Sequence, residues 1–207
     1  MDNIAKNVAK SALSKVPELT LIFWIIKVLA TTLGETAGDA LSMSMNLGYL
    51  VSTLIFAALF FVAVIAQIKA KQFHPFLYWA TIIATTTVGT TLADYADRSL
   101  GIGYTGGSAL LLGLLLTSLL VWYKTLGSVS VSSINEPKAE IFYWVTIMFS
   151  QTLGTALGDW TADTAGLGYA SGAIIFSALL LAVLATYYWT QISRTALFWA
   201  EIGRAHV

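Results

Sequence analysis

The chain has 207 residues, 57% of them hydrophobic and only 11% charged, with a formal net charge of zero and a mean hydropathy of +0.75. A soluble domain carries about 25% charged residues, so a soluble globular fold is excluded, and the neutral balance offers nucleic acid no basic surface. Cysteine is absent, which removes disulfides, thiolate metal sites and a Cys nucleophile, and two histidines are too few for a His-built zinc site.

Residues 1–17 form an N-terminal segment with Lys6, Lys10 and Lys15. It is not a cleavable signal, because the apolar stretch after it is a full span that carries acids. Three repeats follow. In each, Trp precedes Asp by fifteen residues (Trp24 and Asp39, Trp79 and Asp94, Trp144 and Asp159), and Gly-Tyr comes nine residues after the Asp (Gly48-Tyr49, Gly103-Tyr104, Gly168-Tyr169). A small-x-x-x-small step lies before each Asp: Gly34 to Gly38, Gly89 to Ala93, Gly154 to Gly158.

Repeat 1 covers 18–71, with spans at 18–42 and 48–70. Repeat 2 covers 72–126, with spans at 75–97 and 103–125. A polar loop fills 127–138, and repeat 3 covers 139–192, with spans at 139–163 and 169–191. Pro17, Pro75 and Pro137 stand near the start of each first span, a position where proline suits a helix. Each Gly-Tyr is expected to start the second span and pack it on the first. Residues 193–200 read as the start of a truncated fourth repeat, since Trp199 follows Trp144 by 55 residues as Trp79 follows Trp24. Residues 201–207 resemble a translated sequencing adapter and are set aside. Stretches of about 20 apolar residues suffice to cross a bilayer. The fold class is therefore an all-α transmembrane protein of parallel tandem two-helix hairpins, six spans plus the start of a seventh.

Lys6, Lys10, Lys15, Lys69, Lys71, Lys124, Lys138 and Arg194 fall on the N-terminal side of these spans and only Arg98 on the other. The positive-inside rule then puts the N-terminus in the cytoplasm and the Asp-bearing turns outside.

With about 1.5 Å of rise per residue and an apolar core of about 30 Å, the repeat aspartates sit in the outer third of the core. Glu35 is deeper, near the midplane, and Thr90 and Thr155 are its counterparts. Glu35 and Asp39 share a helix face that Thr31 and Lys27 extend inward. Intramembrane charges are costly and mark pathways more often than they serve packing. One expectation is an acid layer of Asp39, Asp94 and Asp159 above a layer of Glu35, Thr90 and Thr155, formed where the first helices meet; oxygen-only layers suit a hard cation or a proton. The alternative is that each Asp bonds backbone groups of its turn, the role expected for Asp97 and Asp163. Lys27 either snorkels or pairs with an acid. Thr85-Thr86-Thr87 and Ser150-Gln151-Thr152 are expected to hydrogen-bond between helices. His74 reads as a plain interfacial residue.

The run Lys15-Val16-Pro17-Glu18 and then Phe23 through Asp39 (FWIIKVLATTLGETAGD) resembles the first repeat of a bacterial integral membrane family, usually labelled uncharacterised membrane-anchored protein and built on a repeat of unknown function. The resemblance spans residues 15 to 200 and implies four repeats, about eight spans and a bacterial inner-membrane location. It implies no activity. From the residues, the leading reading is a small secondary transporter or efflux protein for a cation, with possible proton coupling. Glu35 is the binding or coupling carboxylate, and Asp39, Asp94 and Asp159 are access or coordination groups. The alternative is a non-transporting scaffold or sensor. An enzyme is disfavoured, because the Gly-x-Gly-Asp wording of intramembrane aspartyl proteases is missing and no Ser–His pair stands in its place. No cofactor is implied; the expected partners are the lipid bilayer, a small cation or proton, and, as an alternative, a second copy of the chain.

Overall fold

The computed structural model describes residues 15–17, 20–131, 134, 136–190, 192 and 194–202. Lys6 and Lys10, part of the 127–138 loop and residues 203–207 of the adapter-like ending lie outside the described residues. Seven α-helices follow one another among the described residues: α1 (Leu21–Asp39), α2 (Tyr49–Lys69), α3 (Pro75–Asp94), α4 (Gly103–Leu126), α5 (Pro137–Asp159), α6 (Gly168–Trp189) and α7 (Arg194–Ile202). Pro75 and Pro137 occupy the first turn of their helices, while α1 starts at Leu21, beyond Pro17, with Thr20 as its cap. The Thr20 hydroxyl accepts from Phe23 N–H at 3.3 Å. His74 plays the same part for α3, its Nδ1 accepting from Leu77 N–H at 3.3 Å, so it is a cap and not merely an interfacial side chain.

Every first helix ends in the same way. After Asp39, Asp94 and Asp159 the chain widens into one π-helical turn: Ala40–Ser44, Tyr95–Ser99 and Trp160–Thr164. The closing bonds reach back five residues, from Met45 to Ala40, Leu100 to Tyr95 and Ala165 to Trp160. The reversal requires positive φ, which Gly101 and Gly166 adopt freely and Asn46 adopts in their place at +60°. Asparagine is the usual non-glycine substitute there.

Five helical segments are long and apolar enough to cross a membrane: Leu21–Ser44, Tyr49–Lys69, Pro75–Ser99, Gly103–Leu126 and Gly168–Trp189. The chain is thus a multi-pass membrane protein by its helices. The 23-residue α5 is the polar exception. It runs beside α3 over its whole length: Tyr78 and Tyr143 hydroxyls meet at 2.6 Å near one end, and Thr90 and Thr155 meet at 3.3 Å further along. Near the other end Arg98 reaches from the turn after α3 to Asp159. α5 faces protein on most sides, with Ser150 through Ala156 all buried, so it need not be apolar.

The first helices pack in sequence, α1 on α3 and α3 on α5. The expected packing of each second helix on its own first helix is corrected. α2 lies against α3 and α4 against α5, while each touches its own repeat chiefly at the turn. Each hairpin is splayed, and each repeat is completed by the next.

Aromatic residues close the N-terminal ends of the first helices. Each Trp meets the aromatic residue of the preceding repeat: Trp79 with Phe23 at 5.4 Å, Trp144 with Tyr78 at 5.7 Å, Trp199 with Tyr143 at 6.3 Å. Trp24 meets Phe198 of α7 at 6.2 Å, which closes the circle. At this end Lys15 is buried. Its Nζ donates to Glu140 Oε1 at 2.6 Å and to the carbonyls of Gln67 and Ile68 at 3.2 and 3.1 Å, near the C-terminus of α2.

Candidate functional site

The site lies where α1, α3 and α5 approach at their C-terminal halves. Glycine permits the approach. A Cβ on Gly34 would come within 2.8 Å of Thr86 Cβ and 2.9 Å of the Ile83 carbonyl, and one on Gly89 within 3.0 Å of Thr152 Oγ1. The small-x-x-x-small step therefore brings backbone against neighbouring helix, as it does in other membrane bundles.

From the N-terminal ends outward, the first polar level is Lys27. It is 1% exposed and donates to Gln151 Oε1 at 3.2 Å. The snorkelling expectation is corrected, since the ammonium is held inside the bundle. Thr31, fully buried, donates to the carbonyls of Lys27 and Val28. The polar runs follow expectation only at Gln151, which accepts from Lys27 across helices. Thr85, Thr86, Thr87 and Thr152 donate to carbonyls of their own helices and not across to neighbours. This back-bonding satisfies a hydroxyl in an apolar setting without a second helix.

Above them comes the level of Glu35, Thr90 and Thr155. Thr90 and Thr155 pair with each other across α3 and α5. Glu35 instead opens onto a cavity of about 520 Å³ lined by Thr36, Asp39, Thr155, Asp159 and Tyr169 among others. No hydrogen bond to its carboxylate is formed among the described residues, and Asp39 and Asp159 share its cavity.

The outermost level holds Asp39, Asp94 and Asp159. None of the three caps its turn through its side chain. Asp94 is buried, and its Oδ1 lies 2.9 Å from Arg98 Nε. Asp159 Oδ2 lies 3.5 Å from Arg98 Nη2. Asp39 faces the cavity with Glu35. The carboxylates thus occupy one end of the bundle interior, with Arg98 joining two of them. Among the described residues no three His, Cys, Asp or Glu side chains are arranged to hold a metal ion.

Sequence reasoning missed Glu140 as the partner of Lys15 and Arg98 as the bridge between two acids. Arg98 stood out as the lone cation of its side, a signal read only for topology. Asp97, expected to serve its turn, is corrected: it is 7% exposed, with neither carboxylate oxygen hydrogen-bonded, and lies against Gly107 of α4. Asp163 is exposed.

The sequence model of the family described as Repeat of Unknown Function (DUF347) matches residues 22–73, 77–127 and 142–193. Comparison with curated proteins and with solved structures finds no significant match.

Proposed function

We propose that this chain, which belongs to the DUF347 repeat family, is a small secondary transporter or efflux protein for a cation, with proton coupling through its intramembrane carboxylates. One observation carries the reading: Glu35, a carboxylate well inside the span of α1, opens onto a cavity whose lining it shares with Asp39 and Asp159. Ionisable groups at this depth are expensive and serve pathways and relays. In this reading Glu35 is the binding or coupling group and Asp39 and Asp159 attract the cation to it. Lys27 sets the inner limit of the path, since a buried ammonium repels a second cation, and the aromatic circle seals the bundle beyond it.

The N-terminal side, rich in Lys and Arg, faces the cytoplasm, and the cavity opens to the exterior; in a bacterium this is the inner membrane. Nothing in the site resembles a nucleophile–base pair, so we read the protein as no enzyme. The scaffold reading draws on the own-helix bonding of the threonines, which puts their hydroxyl hydrogens out of service to a pathway. The two readings separate in proteoliposomes carrying a pH-sensitive dye and challenged with a panel of cations. Glu35→Gln should abolish flux while leaving the melting temperature unchanged. Equal flux in the variant and the parent would remove Glu35 from the pathway, and no flux of any cation would favour the scaffold.

A further inference from the structure

Arg98 is the cation already present in the acid layer. It sits on the π-helical turn after α3, four residues beyond Asp94, and this turn directs its side chain back over the helix end. Its guanidinium is held by groups from all three repeats. Nε meets Asp94 at 2.9 Å and Nη2 meets Asp159 at 3.5 Å. Nη1 donates to Tyr49 Oη at 3.5 Å, and the Tyr104 ring lies 5.7 Å from Cζ. Met43 and Asp163 stand at the corresponding positions of the other repeats, so among the described residues Arg98 is the cation that the chain itself supplies to the layer.

The geometry is that of a planar fork bridging two carboxylates with aromatic groups beside it. Guanidinium suits such a site better than a compact ion, because it donates in two directions and stacks on rings. The side chain is 33% exposed, so its head is reachable from the open side and exchangeable. Asp94, by contrast, is almost wholly buried and would be left as an uncompensated charge without it.

We propose that Arg98 sets the specificity of the acid layer by acting as its tethered occupant, and that the layer's free ligand is an organic cation of the guanidinium class. This rests on the cation-pathway reading above. Asp159, which shares Arg98, also lines the cavity with Glu35, Asp39 and Tyr169. A guanidinium entering the cavity therefore meets carboxylates and a tyrosine like those around Arg98.

The test uses methylguanidinium chloride as probe on the whole chain, with sodium and trimethylammonium chlorides as controls. Arg98→Ala should melt lower than the parent, and methylguanidinium, but neither control, should restore the melting temperature. In proteoliposomes the apparent affinity for methylguanidinium should change by about tenfold or more in Arg98→Ala, the worth of one charged hydrogen bond. If Arg98→Ala fails to fold, Arg98→Lys takes its place: it keeps the charge but loses the fork, so methylguanidinium should still raise its melting temperature more than the controls do. Melting and flux that are identical in parent and variants, or rescue by sodium as good as by methylguanidinium, would overturn the proposal. Selective rescue with no flux in any protein would support the guanidinium cradle and sink the pathway. Flux that depends on Glu35 but ignores Arg98 would leave the pathway standing and sink this inference.

Discussion

The two ends of the bundle are built from the same three repeats and differ in almost every physical respect. At the N-terminal ends of the first helices, the ammonium and the phenols are paired, although Gln67 Oε1, Trp122 Nε1 and Glu140 Oε2 are buried without hydrogen bonds. Tyr78 bonds Tyr143, Lys15 bonds Glu140, and a circle of aromatic pairs closes from Trp24 to Phe198. At the C-terminal ends, six acids face one arginine, carboxylate oxygens stand without partners, and a cavity opens. The repeat explains both. Its aromatic positions have equivalents throughout and can tile a closed ring. Its acid positions repel one another when repeated, so that end cannot close on itself without a cation. Repetition of an apolar contact produces a seal, whereas repetition of a charge produces a site.

The contrast can be broken most severely at the sealed end. Glu140→Ala leaves the buried Lys15 ammonium without its carboxylate and should cost about 3–5 kcal/mol, measured by unfolding in detergent micelles. Adding Lys15→Met should recover much of that loss. Next in size is the helix contact between the two ends. Gly34→Leu drives a side chain into Thr86 and the Ile83 carbonyl and should cost about 1–3 kcal/mol. Gly113→Ala, where a Cβ meets nothing within 4 Å, is the control and should melt no lower than the parent. Tyr78→Phe leaves the Tyr143 hydroxyl buried without its partner and should cost about 1–3 kcal/mol, with the double phenylalanine variant losing less than the two single losses added together. The smallest effect is expected at the open end. Asp163 is exposed, so Asp163→Asn should stay within about 0.5 kcal/mol of the parent.

Much of this architecture was legible in the residues because the repeat is strict. The spacing from Trp24 to Asp39, copied twice, fixed the length and direction of the first helices, and Gly-Tyr marked where the second helices begin. The acids could be ranked by depth from helical rise alone. Neighbour relations were not legible. Periodicity shows which residues are equivalent, not which repeat a helix packs against, so the pairing of α2 with α3 instead of α1 was invisible. The same limit hid Lys27 on Gln151 and Lys15 on Glu140, pairs more than 120 residues apart. Arg98 was hidden differently: its position in the turn was plain, but the π-helical widening that swings it over Asp94 and Asp159 leaves no trace in composition.

The chain contains no cysteine, so single cysteines can report on each level without background. A membrane-impermeant, cationic thiol reagent applied from the side opposite the N-terminus should label Glu35→Cys and Asp39→Cys rapidly. It should leave Ile82→Cys and Ile147→Cys, fully buried at the level of Lys27, unmodified. Protection of position 35, or labelling of 82 and 147 as fast as of 39, would contradict an acid site open on one side and sealed on the other.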